Sequence, residues 1–344
     1  MRKPLTITIL TLIVLGILAA PIRNIAFGQT DVTVLPKTHP VAMTSKLIDE
    51  RFPGREATPI EFLFIDGEKT LSAEEIDSYK NKVRVIPGII EVTGNTSANG
   101  IIKFQAIHKM SPRTSAAQTL ITEIRKIPAP QGLLIGGVAA DYTDTQNGIA
   151  RALPWALGWV FLSVLILLFA FTGSIILPIK AVILNFLSLG ATMGALTWVF
   201  IDGHLQWLVG SFTLTGTLDT SIVILIAVVV FGLSMDYELF LLSRIKEQHD
   251  NGLDTVNSVA VGLQRSGRII TAAAFILAVT FGSFASSGVS IMKMLGFGIA
   301  FAILIDATIV RALLVPALMR LFGAANWWAP KWLTRIYKKV NLTH

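Results

Sequence analysis

The sequence predicts a polytopic α-helical membrane protein that carries one α+β domain after its first transmembrane helix. Of its 344 residues, 53% are hydrophobic and 15% are charged, and the mean hydropathy is +0.65. These values are typical of a membrane protein rather than a soluble domain. Six apolar runs are long enough, at roughly 20 residues each, to cross a bilayer. One long polar segment separates the first run from the other five.

The six predicted spans divide the chain into four parts. They cover residues 5–22, 153–172, 181–201, 221–242, 269–287 and 294–319. We therefore expect a first transmembrane helix (1–22), an outer domain (23–150), a five-helix bundle (151–321) and a basic, aromatic tail (322–344). The first run has the basic start of a signal peptide, but its apolar stretch is longer than a signal core, so we expect a retained helix.

Lysine and arginine placement predicts the orientation of the spans. With the N-terminus inside, the inner segments carry twelve such residues, whereas the two short outer loops carry only Lys293. The twelve are Arg2, Lys3, Lys180, Arg244, Lys246, Arg265, Arg268, Arg320, Lys331, Arg335, Lys338 and Lys339. Both termini are therefore expected in the cytoplasm, and residues 23–150 outside the membrane.

The outer domain is predicted to be a small α+β unit of the ferredoxin-like type. Strands are expected at 59–66, 89–93, 101–108 and 133–136, and helices at 41–52, 72–83 and 114–126. The second helix opens with the capping-box pattern Ser72-Ala-Glu-Glu75. After residue 52 the order is strand, helix, strand, strand, helix, strand, which is the split βαβ arrangement.

Composition argues against several classes of function. The outer domain holds 14 basic and 14 acidic residues, so the net charge of +7 reflects the positive-inside pattern and predicts no nucleic-acid partner. The chain has no cysteine, which removes disulfide, thiol and thiolate–metal chemistry. His39 and His108 lack neighbours at ligand spacing and are expected to be ordinary structural histidines. We expect no metal, no bound cofactor and no enzymatic activity.

Asp236 and Tyr237 lie in the middle of the fourth apolar run, and they are the strongest functional signal in the chain. An aspartate at bilayer depth costs several kcal/mol unless it is protonated, paired or wetted. Burial favours its neutral form, whereas a tyrosine hydroxyl donating to it favours the charged form. A carboxyl group under both influences can take up and release a proton near neutral pH. The pair is therefore predicted to be a proton relay.

Three further charged residues fall within the predicted spans, namely Glu238, Asp306 and Arg311. Asp306 and Arg311 are five residues apart, which is a poor spacing for one face of an α-helix. Each is therefore expected to meet a neighbouring helix, as a structural ion pair or an inter-helix hydrogen bond. Glu238 is turned about 200° from Asp236 around the helix. Its expected partner is Arg244 or the cytoplasmic interface.

Several segments resemble the MMPL family of transporters within the RND superfamily. Phe231-Gly-Leu-Ser-Met-Asp-Tyr-Glu-Leu-Phe-Leu-Leu-Ser-Arg244 is similar to the fourth-helix signature of one six-helix half. Leu177-Pro-Ile-Lys-Ala-Val-Ile-Leu-Asn-Phe-Leu-Ser-Leu-Gly190 and Val199-Phe-Ile-Asp-Gly203 resemble the ends of its third helix. Leu304-Ile-Asp-Ala-Thr-Ile-Val-Arg311 with Leu314-Val-Pro-Ala-Leu318 resembles its sixth. The likeness covers essentially the whole chain, in order.

This resemblance implies export of lipids or other hydrophobic molecules across a bacterial cytoplasmic membrane, driven by the proton gradient. In that family, Asp-Tyr pairs from two homologous halves face each other at the membrane centre. If this arrangement is carried over to the present chain, Asp236 is the proton-carrying carboxylate and Tyr237 its hydrogen-bonding partner. Glu238, Asp306 and Arg311 are then supporting charges. The implied partners are membrane lipids, a hydrophobic substrate and a second transporter half.

The chain departs from the family in size, because it contains one Asp-Tyr pair where members normally join two halves. It reads as a half most like the C-terminal one, which would self-assemble, pair with a separately encoded half, or be an inactive truncation. Three other functions stay open: an accessory subunit of protein translocation, a non-transporting assembly or sterol-sensing module, and an intramembrane aspartyl protease. The protease is disfavoured because neither Asp236 nor Asp306 lies in a Gly-x-Gly-Asp setting.

Overall fold

The computed structural model describes residues 3–52, 58–65, 72–98, 100–130 and 132–340. Predictions that fall on Arg2, Asp66 and residues 341–344 lie outside the described residues. The helices are α1 Pro4–Ala19, α2 Pro40–Arg51, α3 Ala73–Arg84, α4 Ser115–Lys126, α5 Val138–Thr172, α6 Ile176–Phe200, α7 Gln206–Val209, α8 Thr220–Asp250, α9 Thr255–Ser283, α10 Ser290–Ile305, α11 Val315–Phe322 and α12 Lys331–Val340. The strands are β1 Phe27–Gly28, β2 Ile60–Ile65, β3 Ile89–Ala98, β4 Ile101–His108, β5 Leu133–Gly136 and β6 Leu218–Asp219.

The chain forms two compact units. One comprises Met1–Ala26 with Trp155–His344, and the other comprises Phe27–Pro154. We call the first the bundle unit and the second the α+β unit.

The bundle unit contains the predicted transmembrane helices. Among the described residues, six helical stretches are long and apolar enough to cross a membrane. They are Pro4–Asn24, Val138–Thr172, Ile176–Phe200, Thr220–Asp250, Thr255–Ser286 and Ser290–Trp327. The predicted multi-pass architecture is therefore confirmed. Of the six, α6 and the last span are the most buried, so they form the centre of the unit.

Three helices extend well beyond the predicted apolar runs. α5 already begins at Val138, in the α+β unit, and enters the bundle unit at Trp155. α8 continues to Asp250 and α9 already begins at Thr255. The extra turn of α8 is polar and carries ion pairs at helical spacing, Arg244–Glu247 at 2.9 Å and Lys246–Asp250 at 2.5 Å. Pairs at i,i+3 and i,i+4 support helix in water. A hydropathy pattern identifies only the apolar part of such a helix.

Glycines allow close helix packing at several positions of the bundle unit. A Cβ added at Gly194 would clash with Leu18 O, so α1 and α6 approach closely there. At Gly296 it would lie 2.6 Å from Phe281 O, which marks a similar contact between α10 and α9. Gly190, in contrast, has open space at that position. Of these two glycines of α6, only Gly194 therefore marks a close helix contact.

The α+β unit has the predicted order β2–α3–β3–β4–α4–β5. Its sheet order is β3-β4-β2-β5, with antiparallel pairing throughout and Phe62 opposite Phe104. These two rings stack at 4.5 Å in the core. The capping box is present, since Ser72 Oγ accepts from Glu75 N at 3.2 Å and Glu75 Oε2 accepts from Ser72 N at 3.0 Å. The extracytoplasmic position of this unit stays a prediction.

The two histidines of the α+β unit have structural contacts. His39 caps α2, where its Nδ1 accepts from Val41 N at 3.3 Å. His108 is buried at the end of β4, with Nε2 3.1 Å from Thr58 O. Within the described residues, no group of three potential metal ligands comes together.

Candidate functional site

Helix α8 presents Asp236, Tyr237 and Glu238 to three different environments. Successive residues of an α-helix are turned about 100° from one another. As a result Asp236 is exposed, Tyr237 is partly buried and Glu238 is buried with 6% exposure. The opposite placement of Asp236 and Glu238 agrees with the helical geometry expected from the sequence.

Asp236 lies on an open face of α8 that is otherwise apolar or small. The same face exposes Leu225, Val228, Gly232 and Leu239, with Val228 65% exposed. At Gly232 an added Cβ would meet no atom within 4 Å. We call these five residues the α8 open face. A carboxylate on a face of this kind points away from its own bundle.

Tyr237 packs against the last span instead of against Asp236. Its ring lies 5.1 Å from the guanidinium carbon of Arg311, in cation–π geometry. A small crevice between α8 and the last span is lined by Tyr237, Asp306, Arg311 and Ala274. In the described part of the chain, Asp236 and Tyr237 share no hydrogen bond. The hydrogen bond predicted between these two residues therefore stays a prediction.

Asp306 and Arg311 form a buried ion pair with each other. Arg311 Nη2 lies 2.5 Å from Asp306 Oδ2, and the side chains are 4% and 8% exposed. The expectation that each would meet a neighbouring helix is therefore incomplete: the two side chains pair with each other, and both also contact Ser234 of α8. Residues Asp306–Leu314 form a π-helix between α10 and α11, and its i→i+5 hydrogen bonding brings residues five apart together.

The π segment ends just before Pro316, near the start of α11. Proline lacks an amide hydrogen and its ring clashes with the carbonyl four residues earlier, so a regular α-helix is disrupted here. Local π geometry is one way in which a membrane helix accommodates proline.

Arg311 also joins the last span to α8 and α6. Its Nη2 donates to Ser234 O at 2.5 Å and lies 3.0 Å from Ser234 Oγ. Ser234 Oγ in turn donates to Asn185 Oδ1 of α6. All of these side chains are buried. Ser234 and Asn185 were not singled out from the sequence, although a polar side chain inside an apolar run is the signal that could have identified them.

Glu238 faces this cluster from α8, one turn after Ser234. Within the part of the chain that the structure describes, its Oε1 is buried without a hydrogen-bond partner, and so is Arg311 Nη1. It interacts electrostatically with Arg311, Asp306 and Lys180. The expected partner Arg244 is engaged elsewhere, because its Nη1 donates to Glu247 Oε2 at 2.9 Å. The prediction of Arg244 as partner is therefore wrong.

The α+β unit contains one further hollow, with a volume of about 510 Å³. Arg125 and Asp144 form a bidentate pair on its wall, with Arg125 Nη2 2.8 Å from Asp144 Oδ2. The Tyr79 hydroxyl is buried there without a partner, and burial raises the pKa of Tyr79 to about 12. The lining of this hollow includes none of the buried charged residues of the bundle unit, Glu238, Asp306 and Arg311.

Comparison with known proteins decides the family. The profile of the MMPL family matches residues 33–340, which is most of the chain. The chain belongs to the MMPL family. The match includes all but the first few residues of the α+β unit and every span after the first.

Named relatives of this MMPL chain are larger proteins. It is 35% identical to the trehalose monomycolate exporter MmpL3 of Mycobacterium tuberculosis, over 99% of this chain and 38% of that protein. It is 36% identical to the putative membrane protein SCO6666 of Streptomyces coelicolor, over 99% of this chain and 47% of that protein. It is 32% identical to the mycolic acid-containing lipids exporter MmpL11 of Mycolicibacterium smegmatis, over 99% and 37% respectively. The MMPL chain thus spans less than half the length of these relatives.

Proposed function

We propose that this chain is one half of a transporter that exports lipids or other hydrophobic molecules, driven by the proton gradient across the cytoplasmic membrane. Two of the relatives are named as lipid exporters, which supports this substrate class. The proposal includes both termini in the cytoplasm and the α+β unit outside.

The exposure of Asp236 carries the proposal. A charged side chain at the centre of a membrane helix costs about 2.5–3.5 kcal/mol on insertion scales, and it almost always faces protein or water. Asp236 instead lies on the α8 open face among Leu225, Val228 and Leu239. A second half that covers this face would place a Tyr237 hydroxyl near Asp236 and create the relay. We therefore assign proton carrying to Asp236 and hydrogen bonding across the interface to Tyr237.

A buried cluster of charged side chains, Glu238, Asp306 and Arg311, supports the relay. Arg311 pairs with Asp306 and packs on the Tyr237 ring, so a movement of Tyr237 is transmitted to the last span. Glu238 Oε1 and Arg311 Nη1 are an unpaired acceptor and an unpaired donor in the same region. Two such atoms provide polar partners for water at membrane depth.

Replacing Asp236 with Asn tests the proposal. In proteoliposomes with an imposed pH gradient, we expect proton flux and export of a fluorescent lipid to fall at least tenfold, because the amide carries no exchangeable charge. Membrane insertion should be unchanged. Asp250→Asn is the matched control, since Asp250 ends the same helix in a polar turn. Full lipid export by Asp236→Asn would refute the relay.

The same assay separates the alternatives. A non-transporting module would show no proton flux even in the wild-type chain. An accessory subunit of protein translocation would show proton flux that responds to a translocating polypeptide rather than to lipid. An intramembrane protease would cleave a membrane peptide without a proton gradient.

A further inference from the structure

Lys180 is buried at the end of the bundle unit where α6 begins. It lies in the second turn of α6 with 7% exposure, although lysine at a span end would ordinarily extend into water. Its Nζ donates to Asn326 Oδ1 at 3.1 Å. The ammonium therefore points into the protein, toward the segment that follows the last span.

Asn326 is the centre of a compact turn formed by residues 323–328, which we call the tail turn. Asn326 is fully buried, and its Nδ2 donates to Met319 O at 2.6 Å and to Gly323 O at 2.8 Å. Its own carbonyl oxygen accepts from Ser174 Oγ at 2.6 Å. The Asn326 side chain is therefore held by both of its ends, and it fixes the position of the Lys180 ammonium.

The tail turn is also attached to the ends of α8 and α9. The Trp327 ring stacks on His249 at 4.2 Å, and Trp327 Nε1 donates to Thr255 Oγ1 at 3.3 Å. Trp328 O accepts from Ile175 N at 3.1 Å. The tail turn thus closes this end of the bundle by contacts with three other segments, instead of lying free at the membrane surface.

The charged side chains buried in this part of the bundle unit are two cations and two anions, so their net charge is zero when all are ionised. Four charged side chains are buried between α6, α8 and the last span: Lys180, Glu238, Asp306 and Arg311. Arg311 is paired with Asp306 at 2.5 Å. Glu238 and Lys180 remain, and they interact electrostatically without a direct ion pair among the described contacts. Lys180 is therefore the one buried cation of the cluster that no carboxylate contacts.

We propose that Lys180 is a positioning residue for the relay, acting as the counter-charge of Glu238 and held in place by Asn326 of the tail turn. In this arrangement the segment after the last span modulates the proton affinity of Glu238, on which Arg311 and Asp306 also act. This inference rests on the proposed proton-driven function, but the charge coupling between Lys180 and Glu238 can be measured without transport.

Labelling of Glu238 by dicyclohexylcarbodiimide tests the coupling, because this reagent reacts with protonated carboxyl groups in membranes. The full chain in membranes would be labelled across a pH series, and the peptide that contains Glu238 quantified by mass spectrometry. In Lys180→Met, labelling should persist to a pH about one unit higher, since loss of a nearby cation favours the neutral carboxyl. Asn326→Asp should shift labelling in the same direction, because the new carboxylate competes for the ammonium.

Two variants distinguish this coupling from loss of structure. Lys180→Arg keeps the charge and should restore the wild-type labelling profile. Lys293→Met removes another buried lysine, which donates to Val209 O and Ala285 O at the opposite end of the bundle, and should leave the profile unchanged. An unshifted profile in Lys180→Met would overturn the proposal, as would a shift of equal size in Lys293→Met.

Proton flux measured on the same proteins separates the two proposals. If the wild-type chain gives no proton flux while Lys180→Met shifts Glu238 labelling, the proposed function fails and the charge coupling stands. If the wild type transports protons and Lys180→Met has the same pH profile of flux and labelling, the coupling fails and the proposed function stands.

Discussion

Individual residues of the intramembrane cluster differ in how they are compensated. Arg311 contacts a carboxylate, a carbonyl, a hydroxyl and an aromatic ring, so its charge is well distributed. Glu238 has an unpartnered oxygen and depends on charges at longer range. Asp236 makes no hydrogen bond or ion pair with the residues of the bundle unit that the structure describes. Charge compensation thus decreases from the Asp306–Arg311 pair to Glu238 and then to Asp236. We expect the least compensated carboxylate, Asp236, to change its protonation while the paired residues keep theirs.

Replacing Arg311 with Met should destabilise the bundle strongly. It leaves Asp306 buried and unpaired, and breaking a buried pair in this way typically costs about 3–5 kcal/mol. The double variant Asp306→Asn/Arg311→Met removes both charges and should be more stable than Arg311→Met alone. Thermal unfolding in detergent measures both. Equal stability of the single and double variants would show that Asp306 is not compensated by Arg311.

Helices and strands were predictable wherever the information is local. The six spans follow from apolar length, and β4 and β5 agree with the predicted ends because turns with glycine delimit them. The pairing of Asp306 with Arg311 was not predictable, because the α-helical period places these residues on different faces and only the π segment aligns them. The tail turn was not predictable either, since Asn326 contacts Lys180, which is 146 positions earlier in the chain.

Helix packing leads to a prediction for two glycines of α6. Gly194→Ala places a Cβ against Leu18 O and should force α1 away from α6, at an overpacking cost of about 1–3 kcal/mol. Gly190→Ala is the matched control, because the same added methyl meets open space. Alanine favours helix over glycine by about 0.5–1 kcal/mol, so the control should be neutral or slightly stabilised. Thermal unfolding of both variants measures this difference in stability, and equal melting temperatures would contradict the close contact between α1 and α6.

At the scale of the whole molecule, exposed apolar residues distinguish a protein interface from a lipid-facing surface only when the charged residues among them are also considered. α5 and α9 also expose large apolar residues, such as Trp159 at 68% and Phe275 at 64%, and a face of this kind suits lipid tails. The α8 open face differs because it includes Asp236. Its small residue Gly232 permits close approach of another helix, as small residues do at membrane interfaces. The face is therefore better matched by protein than by lipid.

A homodimer would use a twofold axis along the membrane normal, so that equal residues of the two copies face each other at the same depth. The chain lacks cysteine, so single cysteines report contacts without background. We expect Val228→Cys, on the α8 open face, to form a disulfide-linked dimer in membranes under mild oxidation. This bond requires the two Cα atoms to come within about 7 Å. Val279→Cys on α9 has similar exposure, 57% against 65%, and should stay monomeric. Linkage through Val279→Cys but not Val228→Cys would place the interface elsewhere, and no linkage at either site would mean that copies of this chain do not pair through α8.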